Sequence, residues 1–144
     1  MKSERLKILV TGGAGFIGSH LVDYLLNQDC EVIALDNLSN GSLNRLHHAL
    51  ESPNFKFIQG DILNLKDCIQ AVEGCNLVFH LACLGVRHSL HKPFENHRVN
   101  AEGTLNVLEA AKLQQIEHFF YISTSEIYGR TNTFPIDESA PTNP

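Results

Sequence analysis

Short apolar runs alternate along the chain with longer stretches of helical periodicity. Five of these runs are rich in β-branched and aromatic residues, and several are apolar on both faces. Strands that are covered on both faces are typical of a parallel sheet. The runs that predict strands are residues 6–10, 31–35, 55–58, 77–81 and 119–123.

The stretches between the runs predict helices. Two apolar stripes recur at helical spacing, and shorter helical patterns occupy residues 42–50 and 65–72. The alternation of strand and helix predicts an α/β fold with a doubly wound parallel sheet, in which right-handed crossovers place helices on both faces. The first stripe comprises Ile17, Leu21, Tyr24 and Leu25, and the second comprises Ala101, Leu105 and Leu108 in a helix that ends near Lys112.

Composition narrows the class of protein. The chain has 144 residues with a net charge of −5, so it lacks the basic excess of a nucleic-acid binder. No apolar run approaches the roughly 20 residues that span a membrane. Four cysteines without a C-x-x-C pair predict reduced thiols, a cytoplasmic location and no metal site. Residues 1–130 are expected to form one domain, and residues 131–144 an extended loop.

A glycine-rich segment directly follows the first predicted strand. Gly12, Gly15 and Gly18 are spaced as in dinucleotide-binding turns, and the last of them opens the first predicted helix. Glycines let the backbone approach a pyrophosphate, and the free N–H groups near Phe16 and Ile17 favour its negative charge. The alternative is a glycine-rich turn that holds no ligand. The position between strand and helix favours nucleotide binding.

A carboxylate ends the second predicted strand. Asp36 stands about twenty residues beyond the glycines, where an acidic side chain accepts hydrogen bonds from a ribose diol and repels a 2′-phosphate. This predicts NAD rather than NADP, and Asn37 and Asn40 are expected to bind the same cofactor. No arginine follows Asp36 before Arg45, so a site for the 2′-phosphate is not expected. Asp36 could also start the turn before Asn40, and the two roles are compatible.

A second acidic residue ends the third predicted strand. Asp61 is placed to accept a hydrogen bond from an adenine amino group, while Ile62 packs on the ring. Asp61 could equally be the N-cap of the following helix, because aspartate is favoured there. The sequence leaves these two interpretations open.

Five motifs in order resemble a known family. They are Thr-Gly-Gly-Ala-Gly-Phe-Ile-Gly at 11–18, Asp-Asn at 36–37, Gly-Asp-Ile at 60–62, His-Leu-Ala at 80–82 and Ser-Thr-Ser-Glu-Ile-Tyr-Gly at 123–129. Together they resemble the extended short-chain dehydrogenase/reductases, specifically the nucleotide-sugar epimerases, dehydratases and decarboxylases. The resemblance covers essentially the whole chain. It implies a Rossmann-like NAD-binding domain and an enzyme that transiently oxidises a nucleotide sugar at carbon 4.

The resemblance also implies roles for single residues. Leu81 and Ala82 match the segment that flanks the nicotinamide-side ribose and the pyrophosphate. Asn100 matches the family's helix asparagine, although it could instead stabilise a helix kink. Ser123 is placed at the cofactor, and Thr124 aligns with the catalytic Ser/Thr that hydrogen-bonds the reacting hydroxyl. Thr124 could otherwise be a β-branched residue that ends a strand.

Two residues point to different subfamilies. Glu126 resembles the dehydratases and decarboxylases, where a carboxylate beside the sugar serves in acid/base elimination. Ser125 stands where dehydratases have Asp, which favours the decarboxylases over dehydration. Arg87 resembles the loop of uronate 4-epimerases and could pair with a sugar carboxylate or a diphosphate. It could equally be a surface arginine.

The family's Tyr-x-x-x-Lys pair does not occur, because no tyrosine has a lysine four residues later. The chain is therefore expected to be the cofactor-binding part, truncated before the substrate domain, and to lack turnover on its own. The alternatives are a non-catalytic NAD-binding module and a UDP-uronate decarboxylase subtype. The resemblance further implies a homodimer through two helices, one of them over residues 95–112.

Overall fold

A computed structural model describes residues 5–131 and 134–144. It contains one sheet of five parallel strands, which confirms the predicted fold class. The predicted strands are all present, and their ends shift by one or two residues. The strands are β1 (Lys7–Thr11), β2 (Glu31–Asp36), β3 (Phe55–Gln59), β4 (Leu77–His80) and β5 (His118–Tyr121), in the order β3-β2-β1-β4-β5.

Helices connect the strands and cover both faces of the sheet. Between α4 and α5 the chain is π-helical over Arg98–Gly103. Each face carries its own apolar core, one built around Leu9 and the other around Val10. The helices are α1 (Phe16–Asn27), α2 (Leu65–Val72), α3 (Val86–Ser89), α4 (Pro93–His97) and α5 (Thr104–Leu113). None of the helices in residues 5–131 and 134–144 is long and apolar enough to cross a membrane.

The predicted stripe on α1 is partly wrong. Ile17 and Tyr24 are 64% and 61% exposed, whereas Gly18 and Ser19 are buried with Leu25. The buried face of α1 is formed by Gly18 and Ser19 together with Val22 and Leu25, so two small residues lie where large apolar ones were predicted. Hydrophobic periodicity marks large apolar residues and does not mark small residues at a buried helix face.

The predicted stripe on the last helix faces the wrong way. Leu105 and Leu108 are 64% and 44% exposed, and Ala101 is exposed too. The buried face of α5 is instead formed by Val107 and two alanines, which pack against α2 and the sheet. Two apolar faces lie on this helix, and the sequence pattern identified the outer one.

Residues 42–50 form two short 3₁₀ turns, Leu43–Leu46 and Ala49–Glu51, and not a helix. Only Leu46 and Ala49 reach the core, which is too little apolar surface to hold a longer helix. Residues 134–144 contain no helix or strand, and positions 132–133 of the predicted loop lie outside the described residues.

The strand order places a crevice at the carboxyl end of the sheet. β1 pairs with β2 on one side and with β4 on the other. The helices that follow β1 and β4 therefore lie on opposite faces of the sheet. In open α/β sheets, ligands bind at this topological switch point.

Candidate cofactor site

The glycine loop after β1 is packed against the end of β4. Gly12 has a φ of +68°, and a Cβ atom on it would lie 2.8 Å from the backbone nitrogen of Ala82. A Cβ atom on Gly18 would overlap the carbonyl oxygen of Gly12. Both positions therefore exclude any side chain, because the surrounding atoms are backbone.

The N-terminus of α1 lies beside the crevice, and its first amides are free of helical acceptors. Gly15 is the N-cap and has no side chain that could cap the helix, and the first turn carries no acidic residue. The first intrahelical bond runs from the Ser19 N–H to the Gly15 carbonyl, 3.1 Å apart. The N–H groups of Phe16, Ile17 and Gly18 therefore have no acceptor within the helix. This positive helix end suits an anion.

Asp36 joins the loop to the end of β2. The side chain is 9% exposed, and its two oxygens accept from the Ala14 N–H at 3.0 Å and the Leu38 N–H at 2.8 Å. The bond to Leu38 closes a turn, so the turn interpretation is confirmed. Each carboxylate oxygen has a second lone pair, so the group can also accept from a ligand hydroxyl.

The residues after Asp36 form the same rim. Asn37 donates to Asp61 at 3.1 Å, and Asn40 is exposed beside the cavity. Arg45 donates to the backbone oxygens of Ala14 at 3.3 Å and Asn40 at 3.4 Å. This arginine therefore holds the loop through backbone oxygens.

Asp61 does not cap α2. The N-cap is Asn64, whose side chain accepts from the Lys66 N–H at 3.0 Å, so the capping interpretation is wrong. Asp61 instead accepts from the Leu63 N–H at 2.8 Å and lies at the cavity. Ile62 is only 6% exposed because its side chain packs on Gly103, which limits the surface it can offer to a ring.

Nine of the predicted cofactor residues line one cavity of about 380 Å³, a volume in the usual range for small-molecule sites. The cavity runs from the glycine loop to the end of β3. His88 and Glu95 also line it, 3.3 Å apart. The nine are Gly12, Gly15, Asp36, Asn37, Asn40, Asp61, Ile62, Leu81 and Ala82.

A second cavity of about 230 Å³ adjoins the first, because the segment 81–84 lines both. It contains Asn100, Ser123 and Thr124, three of the residues implied by the resemblance. The Thr124 hydroxyl accepts from the Glu126 N–H at 3.3 Å, which begins a 3₁₀ turn over Ser125–Tyr128. Glu126 and Arg87 are exposed and line neither cavity.

Asn100 lies in the π-helical stretch. Its side-chain oxygen accepts from the Leu84 N–H at 2.8 Å, and its side-chain nitrogen donates to the Leu84 carbonyl at 2.8 Å. The residue therefore fixes the loop after β4 between the two cavities. A helix irregularity is present at Asn100, as the alternative interpretation expected.

Sequence reasoning missed Thr11 and His80 as site residues. Both are buried at the carboxyl ends of neighbouring strands, with Thr11 Oγ1 and His80 Nδ1 2.7 Å apart. Thr11 Oγ1 also accepts from the N–H groups of Leu81 and Ala82, each at 3.2 Å. The available signals were that each is the last residue of its strand and the first residue of one of the motifs at 11–18 and 80–82.

The four cysteines are free thiols of two kinds. Cys83 is exposed and lines both cavities, whereas the others are buried. Burial raises the pKa of Cys68 to about 12 and that of Cys75 to about 11. Burial also raises the pKa of Cys30. Cys83 is therefore the thiol open to reagents at neutral pH.

Known proteins resemble the chain over nearly its whole length. It is 38% identical over 141 residues to a putative UDP-glucose 4-epimerase of Methanocaldococcus jannaschii, covering 95% of this chain and 44% of that protein. It is 39% identical to UDP-glucuronic acid decarboxylase 1 of Arabidopsis thaliana, covering 94% and 30% respectively. The dTDP-glucose 4,6-dehydratase DesIV of Streptomyces venezuelae, solved with NAD bound, superposes with a TM-score of 0.89 at 32% identity, covering 96% of this chain and 46% of that one.

The chain thus spans less than half the length of each of these three proteins. The relatives confirm the resemblance to nucleotide-sugar epimerases, dehydratases and decarboxylases, and NAD is confirmed as the cofactor of the family. The sequence profile of the NAD dependent epimerase/dehydratase family matches residues 8–144. With that match, and with the glycine loop, Asp36 and the two adjoining cavities in one crevice, the chain belongs to the NAD dependent epimerase/dehydratase family.

Proposed function

We propose that this chain is the cofactor-binding part of a nucleotide-sugar epimerase or dehydratase that acts by transient oxidation at sugar carbon 4. The observation that carries the proposal is the placement of the Asp36 carboxylate and the open N-terminus of α1 in one cavity. NAD supplies the chemistry when bound, because its nicotinamide accepts a hydride and later returns it.

The larger cavity and the adjoining first turn of α1 suit the adenosine and diphosphate half of NAD. The N–H groups of Phe16 and Ile17, which follow the cavity residue Gly15, would hold the pyrophosphate, and Asp36 would accept from the ribose hydroxyls. A 2′-phosphate would bring a second negative charge against Asp36 and is thereby disfavoured. Asp61 and Ile62 would bound the adenine, with Asn37 holding the Asp61 carboxylate in place.

The residues of the smaller cavity suit the reacting end. Ser123 and Thr124 are exposed at its wall, where a hydroxyl could bind the sugar hydroxyl that is oxidised. Asn100 would act by holding Leu84 between the two cavities. Glu126 and Arg87 lie outside both walls, so we assign them to substrate contacts made from the rim.

A second candidate is decarboxylation of a UDP-uronate. It is favoured by Glu126 and by the 39% identity to the Arabidopsis decarboxylase. The third alternative is an NAD-binding module without catalysis, which the lack of a Tyr-x-x-x-Lys pair in the sequence favours. Both alternatives keep the cofactor site, so a test of that site comes first.

Cys83 provides a direct test of cofactor binding. Because this exposed thiol lines both cavities and the other three are buried, iodoacetamide should alkylate it selectively. We expect NAD⁺ to slow alkylation of Cys83 in a saturable manner, and NADP⁺ at equal concentration to protect much less. Mass spectrometry of the intact chain measures the rate.

All four cysteines are free thiols, which also supports the proposed cytoplasmic location.

The control is the Cys83→Ser variant, which should show no fast alkylation while still binding NAD⁺ by calorimetry. Equal protection by NAD⁺ and NADP⁺ would contradict the role given to Asp36. No protection of a folded chain at any concentration would overturn the proposed cofactor site. Turnover of UDP-glucose by the chain alone would overturn its assignment as the cofactor-binding part.

We also propose that two copies associate through the outer face of the last helices. Leu105 and Leu108 are exposed there, and Phe94 on α4 is 86% exposed. An apolar surface of this kind on a helix is typical of an interface. Replacing Leu105 and Leu108 with lysine should halve the mass measured by light scattering, whereas Leu43→Lys on a distant turn should not. A wild-type monomer at all concentrations would contradict the proposal.

A further inference from the structure

We propose that His80 is a positioning residue that holds the 81–82 turn against the cofactor. It does so as a neutral imidazole with its proton on Nε2, which fixes the direction of a hydrogen-bond relay from β1 to the π-helical stretch. The histidine relay is defined as Thr11, His80 and Thr104. The part of the inference that concerns the cofactor rests on the proposed function. The part that concerns the proton positions stands without it.

Both ring nitrogens of His80 are engaged, and the residue is 1% exposed. Nδ1 lies 2.7 Å from Thr11 Oγ1, and Nε2 lies 2.9 Å from Thr104 Oγ1. A neutral imidazole has one donor and one acceptor nitrogen, so the two threonines must play opposite parts.

The proton of Thr104 decides which nitrogen is the donor. The Thr104 hydroxyl donates to the carbonyl oxygen of Asn100 at 2.7 Å, within the π-helical stretch and its first following residue. A hydroxyl has a single proton, so Thr104 Oγ1 can only accept from His80. The hydrogen atom of the imidazole therefore lies on Nε2.

The Thr11 end of the relay follows from this. His80 Nδ1 carries a lone pair and accepts the Thr11 hydroxyl proton. That leaves the lone pairs of Thr11 Oγ1 for the N–H groups of Leu81 and Ala82, each 3.2 Å away. The opposite tautomer would give the Thr11 hydroxyl three donors and no acceptor within the relay. Burial lowers the pKa of His80 to about 4, which keeps the ring neutral at pH 7.

The relay ends on the walls of the candidate site. Leu81 and Ala82 line both cavities, and the backbone of Ala82 is the surface against which Gly12 packs. At the other end, Asn100 fixes Leu84 through its side chain. His80 therefore joins the glycine loop, the turn after β4 and the π-helical stretch, and it lies in the wall of the smaller cavity.

The first experiment reads the proton positions without cofactor. In ¹⁵N-labelled wild-type protein at about pH 7, we expect the imidazole nitrogen shifts of His80 to show a protonated Nε2 and an unprotonated Nδ1. A ring protonated on Nδ1, or on both nitrogens, would overturn the relay. Because no NAD is present, this result is independent of the proposed function.

The second experiment separates the two halves of the relay. In His80→Asn, the side-chain oxygen can take the place of Nδ1 and still accept from Thr11. In His80→Gln, the amide nitrogen can take the place of Nε2 and still donate to Thr104. We expect His80→Gln to expose the Leu81 and Ala82 amides to faster hydrogen exchange and to bind NAD about tenfold more weakly, and His80→Asn to stay closer to wild type on both measures.

Val78→Ala is the matched control, since Val78 is buried in the same strand and takes no part in the relay. It should speed exchange throughout the sheet and not selectively at residues 81 and 82. The inference is overturned if His80→Asn and His80→Gln behave alike, or if the control reproduces the selective change. A wild-type chain that fails to bind NAD would sink the proposed function, while the exchange data would still decide the relay.

Discussion

Replacing Gly18 with alanine should nearly abolish NAD binding. The added Cβ would overlap the carbonyl oxygen of Gly12, and it would lie 2.9 Å from both the Gly12 carbonyl carbon and the Gly13 Cα. These are backbone atoms, so the loop must shift as a whole. Overpacking of this kind costs about 1–3 kcal/mol of folding free energy, and we expect NAD affinity to fall about 100-fold or more. Calorimetry measures the affinity, and urea denaturation measures the stability.

Gly85→Ala is the control for this substitution. Gly85 lies at the start of α3 with an ordinary extended conformation, and no atom lies within 4 Å of its Cβ position. This variant should match wild type in both measurements. Normal NAD binding by a folded Gly18→Ala variant would show that the loop does not hold the pyrophosphate.

Asp36→Asn should change cofactor preference as well as affinity. The carboxylate accepts from the buried N–H of Ala14 and the half-buried N–H of Leu38, and an amide can accept from only one of them with its oxygen. Leaving a buried donor without a partner costs about 1–3 kcal/mol of stability. The loss of negative charge also removes the repulsion of a 2′-phosphate. We expect the ratio of the NADP to the NAD dissociation constant to fall about tenfold.

Asp61→Asn is the matched control, because it removes a carboxylate from the same cavity at a different position. Asp61 lies in the same cavity and also accepts two hydrogen bonds, but we assign it to the adenine, which both cofactors share. This variant should weaken NAD and NADP equally and leave the ratio of their dissociation constants unchanged. If Asp36→Asn also left the ratio unchanged, Asp36 would not be the residue that selects against the 2′-phosphate.

The sheet could be predicted because its buried strands are continuous apolar runs in the sequence. Runs such as residues 31–35 are apolar on both faces and can only be central strands, and the glycine motif is local in sequence. The helix faces were harder, because α1 buries Gly18 and Ser19, which no hydrophobic pattern marks. The outward stripe of Leu105 and Leu108 misled because α5 has a second apolar face, which contains Val107 and two alanines.

The candidate site could be predicted where a local motif places a residue in the fold. It could not be predicted where hydrogen bonds join residues that are far apart in the sequence. Asp36 could be placed at the end of a strand from the sequence, and it lies there. The bond of Asn37 to Asp61 joins two loops, and the bond of Asn100 to Leu84 depends on a π-helical stretch. Neither has a local signature, since hydrogen-bond geometry is set only once the elements have packed.

The packing of Gly12 against Ala82 also bears on the order of folding. The strand, loop and helix that carry the glycine motif are complete by Asn27, yet the wall that supports them comes from β4, and the Thr11–His80 bond joins residues 69 positions apart. Contacts of such long sequence separation form late, because the intervening chain must first be ordered. A chain emerging from the ribosome therefore has its nucleotide motif long before it has a nucleotide site. NAD can therefore bind only after the sheet has formed. Its binding then stabilises the folded state by slowing unfolding, and it does not speed folding.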